Sequence, residues 1–257
     1  MTSPPDLLRV DGITRSFGGV VAVSAVSFSV TSGTICAVIG PNGAGKTTLL
    51  DLVTGLTRPD AGDVFFDGRR ITGTAPYHLP TLGLMRTFQS TRLIPGLSVR
   101  ENLALGAHHL TRTGFVSAGL RLRRARQEEQ ALRDRAARIL AFLRLEEIAD
   151  RDARNLPTGT QRMVEVGRTL AGGPKLLLLD EPAAGLDDTE TALLAELLVA
   201  VRSSGVTLLV VEHNVNLVMR LCEQVVVLDA GKVIADGPPR QVQQSPIVQA
   251  AYLGGPA

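Results

Sequence analysis

The sequence predicts an α/β fold: a mainly parallel sheet flanked by helices, antiparallel β additions near both ends of the chain, and a helical block inserted in the middle. Three observations carry that expectation. Short branched apolar runs of strand length, bounded by turn residues, recur at 7–10, 26–30, 35–39, 64–67, 176–180, 206–212 and 225–228. Helical patterns at 48–55, 161–170 and 189–203 separate the later runs, which is the strand–helix–strand alternation of a parallel sheet covered on both faces. Between Leu93 and Gly167 no run has strand character.

In chain order, the first two runs have no helix between them and are expected to pair antiparallel. Ile35-Cys-Ala-Val-Ile39 is apolar throughout, as suits a strand buried on both faces. Arg121–Leu145 places Leu132, Ala136, Ile139, Leu140 and Leu143 on one stripe, with Arg and Glu on the other face, and reads as a surface helix of the inserted block. Its basic start, Arg121-Leu-Arg-Arg-Ala-Arg126, reads as a solvated face balanced by Glu128 and Glu129, in preference to a site for anionic lipid headgroups. Residues 189–203 put Leu193, Leu194, Leu197, Leu198 and Val201 on a stripe, behind the acidic start Asp187-Asp188-Thr189-Glu190 and ahead of Gly205. Leu228-Asp-Ala-Gly231-Lys-Val then turns two short strands into a hairpin.

Composition narrows the function classes. A chain of 257 residues is one to two domains and buries a core without staples. The net charge of +2 gives no basic excess, so no nucleic-acid partner is expected. Cys36 and Cys222 lie far apart in apolar runs and read as reduced structural thiols, with no Cys/His cluster for zinc. MTSPPDLLRVDG lacks the pattern of a signal peptide, and no apolar stretch approaches the ~20 residues of a membrane span. Work at a membrane would therefore go through a partner. Only three of the basic residues are Lys, at 46, 175 and 232, and one of them sits where phosphate chemistry needs it.

Gly40-Pro41-Asn42-Gly43-Ala44-Gly45-Lys46-Thr47-Thr48 follows the 35–39 strand and opens a helix, the setting a Gly-x4-Gly-Lys-Thr loop requires to bind nucleotide phosphate. The glycines let backbone N–H groups wind round phosphate oxygens while the helix presents its positive end. Lys46 is placed to reach the β- and γ-phosphates, and the Thr47 hydroxyl to ligate Mg²⁺. Four leucines, read as plain core, lead to Asp180-Glu181. Asp180 is expected to hold the Mg²⁺ hydration shell and Glu181 to polarise the attacking water. A second carboxylate beside a triphosphate is electrostatically costly unless the chemistry uses it.

Four further segments, in order and spacing, resemble an ATP-binding cassette (ABC) ATPase. Gln89 in Arg86-Thr-Phe-Gln89 resembles the Q-loop glutamine, Leu156-Pro-Thr-Gly159-Thr-Gln161-Arg the signature loop, Ala183-Ala-Gly-Leu-Asp187 the D-loop, and His213 in Val211-Glu-His213 the switch histidine. Phe17 in Ser16-Phe-Gly-Gly19 takes the place of the aromatic that stacks on adenine. The resemblance implies a P-loop NTPase core with ATP and Mg²⁺ as its ligands. It adds Gln89 to the metal site, His213 to the catalytic group with Glu181 and Lys46, and Thr158, Gly159, Thr160 and Asp187 to the nucleotide contacts. It also implies one ABC ATPase domain over 1–257, with 1–92 and 168–245 as the α/β core lobe, 93–167 as the helical subdomain and 246–257 as a C-terminal tail.

Arg86-Thr-Phe-Gln89, Val99-Arg-Glu-Asn102-Leu, Asp180-Glu-Pro-Ala-Ala-Gly185-Leu and Ala251-Tyr-Leu-Gly254 further resemble the ATPase subunits of branched-chain amino-acid importers. The long 102–145 stretch, with Thr113-Gly-Phe-Val, resembles the larger of the two such subunits. The implied machine hydrolyses ATP in a nucleotide-sandwich dimer at the cytoplasmic face of the cell membrane. Its implied partners are two permease subunits, a second ATPase subunit or a second copy, and indirectly a periplasmic or extracellular solute-binding protein. Urea or amide importers and lipid-type exporters share these ATPase residues. Soluble ABC ATPases of translation or DNA repair usually carry two cassettes, zinc cysteines or a long coiled coil, and GTP switches carry Asn-Lys-x-Asp; this sequence has none of them. One departure stands out: where the family commonly has Leu-Ser-Gly-Gly-Gln, this chain has Leu156-Pro157-Thr158-Gly159-Thr160, without the serine hydroxyl. Gly159 keeps close backbone approach possible, and Thr158 or Thr160 offers a replacement hydroxyl.

Overall fold

The structure, a computed structural model, describes residues 5–87, 93–111 and 123–253. Strands β1 (Asp6–Phe17), β2 (Val20–Thr31), β4 (Ala61–Phe66) and β5 (Arg69–Arg70) form an antiparallel sheet in the order β2-β1-β4-β5. In the second sheet β3 (Ile35–Ile39), β6 (Leu84–Arg86), β7 (Leu176–Asp180), β8 (Thr207–Val211) and β9 (Gln224–Asp229) run parallel, and β10 (Lys232–Gly237) pairs antiparallel with β9. The order there is β10-β9-β3-β8-β7-β6.

The period of two along a strand divides the core into two layers. Ile35, Ala37, Ile39, Leu177, Leu179, Leu208, Val210, Val225 and Val227 face one hydrophobic cluster. Their neighbours Cys36, Val38, Leu176, Leu178, Leu209, Val211, Val226 and Leu228 face another, shared with the antiparallel sheet. That second layer also holds α1 (Lys46–Val53), through Leu49, Leu50, Leu52 and Val53, and Leu79 of the short helix α2 (Leu79–Leu82). The first layer is covered by the remaining helices: α3 (Val99–Gly106), α4 (Arg123–Leu143), α5 (Thr158–Ala171), α6 (Asp188–Ser203), α7 (Val215–Leu221), α8 (Pro239–Gln243) and α9 (Pro246–Leu253).

Helices α3, α4 and α5 pack on one another. A capping box starts α3: the Ser98 hydroxyl accepts from Glu101 N at 3.2 Å, and Ser98 N donates to Glu101 Oε2 at 2.8 Å. Fully buried Asn102 fixes the preceding turn by accepting from Ile94 N and donating to the Leu97 and Ser98 carbonyls. At the α3–α5 crossing a Cβ on Gly106 would fall 1.7 Å from the Arg168 carbonyl oxygen, so only glycine permits this approach. The outer face of α4 is polar, with Arg133 paired to Glu129 at 2.6 Å; Arg121 and Leu122 of the basic cluster lie outside the described residues.

The structure amends several expectations. Helix α5 starts at Thr158, not 161, because Pro157 occupies the cap position where no amide hydrogen is needed, and it runs across the expected 167/168 boundary between lobes. The expected tail contains helix α9, with Val248 buried. Strands β1 and β2 extend well beyond their apolar runs because the ladder continues through polar residues. Strand β6, three residues long, was not anticipated. On α6, Leu194, Leu197, Leu198 and Val201 are buried but Leu193 is 51% exposed, one step round the helix from the stripe. Among the described residues no helix is long and apolar enough to cross a membrane.

Truncating Leu198, which is fully buried, to Ala is expected to lower unfolding free energy by about 3 kcal/mol, whereas Leu193→Ala changes it by less than about 0.5 kcal/mol. Urea denaturation of the two variants checks which leucine belongs to the core.

Candidate functional site

The carboxyl ends of parallel strands β3, β8 and β7 lie along one edge of the sheet, where open α/β sheets place ligands. Leaving β3, the chain forms the 40–45 loop and enters α1, whose N-terminus has no side-chain cap and no acidic residue in its first turn. Its amides therefore await an acceptor from elsewhere, and an anion suits them. Gly45, the residue before the helix, has φ 98° and lies so close to β2 that a Cβ would stand 2.4 Å from the Ala22 carbonyl oxygen. Ala44 N donates to the Pro41 carbonyl at 3.2 Å, closing the turn that contains Asn42 and Gly43.

Lys46 crosses the mouth of this loop, its Nζ donating to the carbonyl oxygens of Gly40 and Pro41, both at 2.8 Å. Burial pushes its ammonium pKa down from the ordinary value, opposed by the Glu181 and Asp180 carboxylates. The cation and both carboxylates therefore share one electrostatic neighbourhood. Thr47 is exposed in the first turn of α1, with Thr48 beside it half-buried.

Asp180 ends β7 and is 3% exposed. Its Oδ2 accepts from Arg86 Nη2 at 2.8 Å, and Arg86 Nη1 donates to Asp51 Oδ1 at 2.6 Å. One guanidinium at the end of β6 thus locks the carboxylate of β7 to α1. Glu181 follows in the left-handed region at φ 47°, a conformation that costs a non-glycine residue about 1 kcal/mol or more. Its amide donates to the Val211 carbonyl at 2.9 Å, extending the β7–β8 ladder by one residue. His213 lies just past β8, and its Nε2 is 2.7 Å from Glu181 Oε1.

Buried Glu212 braces this pair from behind: Oε1 accepts from Ala183 N at 2.8 Å, and Oε2 from His213 N at 3.0 Å. The turn after Glu181 and the turn carrying His213 therefore share one carboxylate.

The structure thus gathers Lys46, Thr47, Asp180, Glu181 and His213 at one sheet edge. Phe17 stands at the end of β1, 47% exposed, with the Arg15 guanidinium 4.7 Å from its ring centre. Thr158, Gly159 and Thr160 form the first turn of α5, where the Gly159 amide donates to Glu190 Oε1 at 3.0 Å and not to the phosphate loop. Asp187 caps α6, its Oδ1 accepting from Glu190 N at 2.8 Å. Gln89 lies outside the described residues. The sequence pointed to no role for Arg86 or Glu212, and for Glu190 only to a place in the acidic start of its own helix, not to the bond with Gly159. Arg86 carried a signal as a cation three residues before Gln89, and Glu190 as the fourth residue of Asp187-Asp-Thr-Glu190, whereas Glu212 carried none.

The donor set suits Mg²⁺: a threonine hydroxyl and a carboxylate, both hard oxygen ligands. Among the described residues no three His, Cys, Asp or Glu side chains are grouped so that they could hold a metal ion by themselves, so such an ion would be held mainly by phosphate oxygens and water.

The chain matches the family described as "ABC transporter" over residues 23–184, and "Branched-chain amino acid ATP-binding cassette transporter" over 232–257. It is 39% identical to the high-affinity branched-chain amino acid transport ATP-binding protein BraF of Pseudomonas aeruginosa, covering 96% of this chain and 98% of that one. With the corresponding LivG of Escherichia coli K12 it shares 38% identity at the same coverage. A solved ATP-binding cassette of an ABC transporter, in its ADP conformation, superposes with a TM-score of 0.85 at 32% identity, covering 97% of this chain and 99% of that one.

Arg86→Lys keeps the charge but not the two-pronged geometry. It is expected to lower stability by about 1 kcal/mol, against about 3 kcal/mol for Arg86→Met, which leaves Asp180 without its partner. Chemical denaturation at neutral pH ranks the pair.

Proposed function

This chain belongs to the ABC transporter family, and we propose that it hydrolyses ATP in a nucleotide-sandwich dimer that drives permease movement. It is the ATP-binding subunit of a branched-chain amino acid ABC transporter. The observation that carries the catalytic reading is the Glu181–His213 contact of 2.7 Å at the end of β7, beside the Lys46 loop.

Amides of the 40–45 loop and the start of α1 cradle the phosphates, and Lys46 exchanges its two carbonyl partners for β- and γ-phosphate oxygens. Phe17 stacks on the adenine. Mg²⁺, when bound by Thr47, Asp180 and Gln89, supplies charge neutralisation to the transferring phosphoryl group. Glu181 orients the attacking water and accepts its proton, while His213 fixes the Glu181 carboxylate and faces the γ-phosphate. Thr158, Gly159, Thr160 and Asp187 act on nucleotide held by the opposing subunit, which is either a second copy or a second ATPase subunit. ATP binding thereby favours the closed pair, a population shift set by contacts made only in that state.

ABC importer ATP-binding subunits work with transmembrane permease subunits. We place the permease contact at the cleft between the 1–92/168–245 core and the 93–167 helical block. That cleft is a cavity of about 330 Å³ lined by Leu56, Leu79, Met85, Leu105 and Arg168. Leu56 and Leu105 remain exposed there, as an apolar docking surface requires. The chain then sits at the cytoplasmic face of the membrane through its two permeases, and the solute-binding protein and permeases select the amino acid.

Glu181→Gln is expected to reduce ATP turnover at least about a hundredfold while ATP still binds, and to stabilise the ATP-bound dimer or co-complex. Turnover assays paired with size-exclusion chromatography in ATP and Mg²⁺ check both; near-normal turnover overturns the base assignment. Affinity purification from membranes should recover branched-chain-type permeases, and recovery of ribosomes instead would overturn the transport assignment.

A further inference from the structure

Glu190 caps two helices at once. Its Oε2 accepts from Asp187 N at 3.3 Å while Asp187 accepts from Glu190 N, a capping box on α6. Its other oxygen, Oε1, reaches out of that helix to the Gly159 amide at 3.0 Å. Helix α5 begins behind Pro157 with no side-chain cap of its own, so the borrowed carboxylate is the anionic acceptor at its positive end. The approach is tight enough that a Cβ on Gly159 would stand 2.6 Å from Oε1.

In the sandwich reading, on which this inference rests, the Gly159 amide meets the γ-phosphate held by the opposing subunit. One N–H bonds well to one acceptor. A phosphate oxygen on that amide would lie within roughly 4 Å of the Glu190 carboxylate, where two like charges repel strongly even at surface dielectric. Pro157 sharpens the competition, since it brings neither the serine hydroxyl nor an amide hydrogen.

We propose that Glu190 is a positioning residue of the composite ATP site: its carboxylate holds the Gly159 amide in the separate chain and surrenders it to the γ-phosphate when the sandwich closes. The closed state must then replace a charged intramolecular hydrogen bond, so Glu190 sets how much ATP closure requires. The same carboxylate joins the signature turn to the Asp187 cap, so surrendering Gly159 uncouples the two segments while the cap on α6 stays in place.

The test compares Glu190→Gln with its parent in the Glu181→Gln background, using the full chain alone and mixed with its co-purified ATPase partner. Glutamine has one acceptor oxygen where the carboxylate uses two, so it keeps one of the two amide bonds, and the melting temperature is expected to fall by only a few degrees, which leaves the chain folded for the association measurement. A neutral acceptor is weaker than a carboxylate, and the ATP concentration for half-maximal association, read by light scattering with Mg²⁺ present, is expected to fall about fivefold. An equal or higher requirement overturns the exchange. No ATP-dependent association in any pairing overturns the sandwich reading itself. Independently of association, the ¹⁵N-glycine spectrum of the separate chain should show the Gly159 amide proton moving upfield in Glu190→Gln. An unmoved resonance refutes the Glu190–Gly159 bond.

Discussion

The parallel register of β7 and β8 is the constraint on which the site depends. Asp180 pairs with Val211, and the Glu181 amide still reaches the Val211 carbonyl at 2.9 Å. The next side chains of the two strands are thereby delivered to the same edge, which is how Glu181 and His213, 32 positions apart, come within 2.7 Å. Slipping the register by one residue would turn Asp180 toward the opposite layer and leave Glu181 beside nothing it could act with. The two apolar layers on either side of the sheet make such a slip costly, because every inward leucine and valine would change layers with it.

Electrostatics shape the site as much as topology. Asp51, Asp180 and Glu181 bring three carboxylates to one region, and the chain answers with Lys46 in the 40–45 loop and Arg86 behind it. Arg86 holds Asp180 without occupying both of its oxygens, whereas Glu212 spends its charge on backbone amides of the two adjoining turns. The 158–160 turn follows the same logic: the uncapped start of α5 takes a carboxylate from α6. Asp51, Asp180, Glu190 and Glu212 are thus each set against a specific donor, while the first amides of α1 have no side-chain acceptor.

Much of this was legible in the sequence for definite reasons. The phosphate loop, Asp180 and Glu181 are local signals, a glycine spacing and an acidic pair at the end of an apolar run. The layers could be read because a fully buried parallel strand is apolar at every position. Strand β6 escaped because three residues carry no periodicity, and its assignment comes from pairing with β7. Leu193 was misplaced because a leucine adjacent to a stripe looks like part of it until the helix is rotated against its neighbours. The contacts of Arg86 with Asp180, Glu190 with Gly159 and Glu212 with Ala183 join residues 94, 31 and 29 positions apart, and contacts at such separations leave no local pattern.

The most direct measurement is a double-mutant cycle on single-turnover ATP hydrolysis with Glu181→Gln and His213→Ala. If the two side chains form one unit at the strand edge, the double variant will be within about twofold of Glu181→Gln alone, because His213 acts through the carboxylate it contacts. Losses that multiply, each variant contributing its full factor independently, would contradict the account.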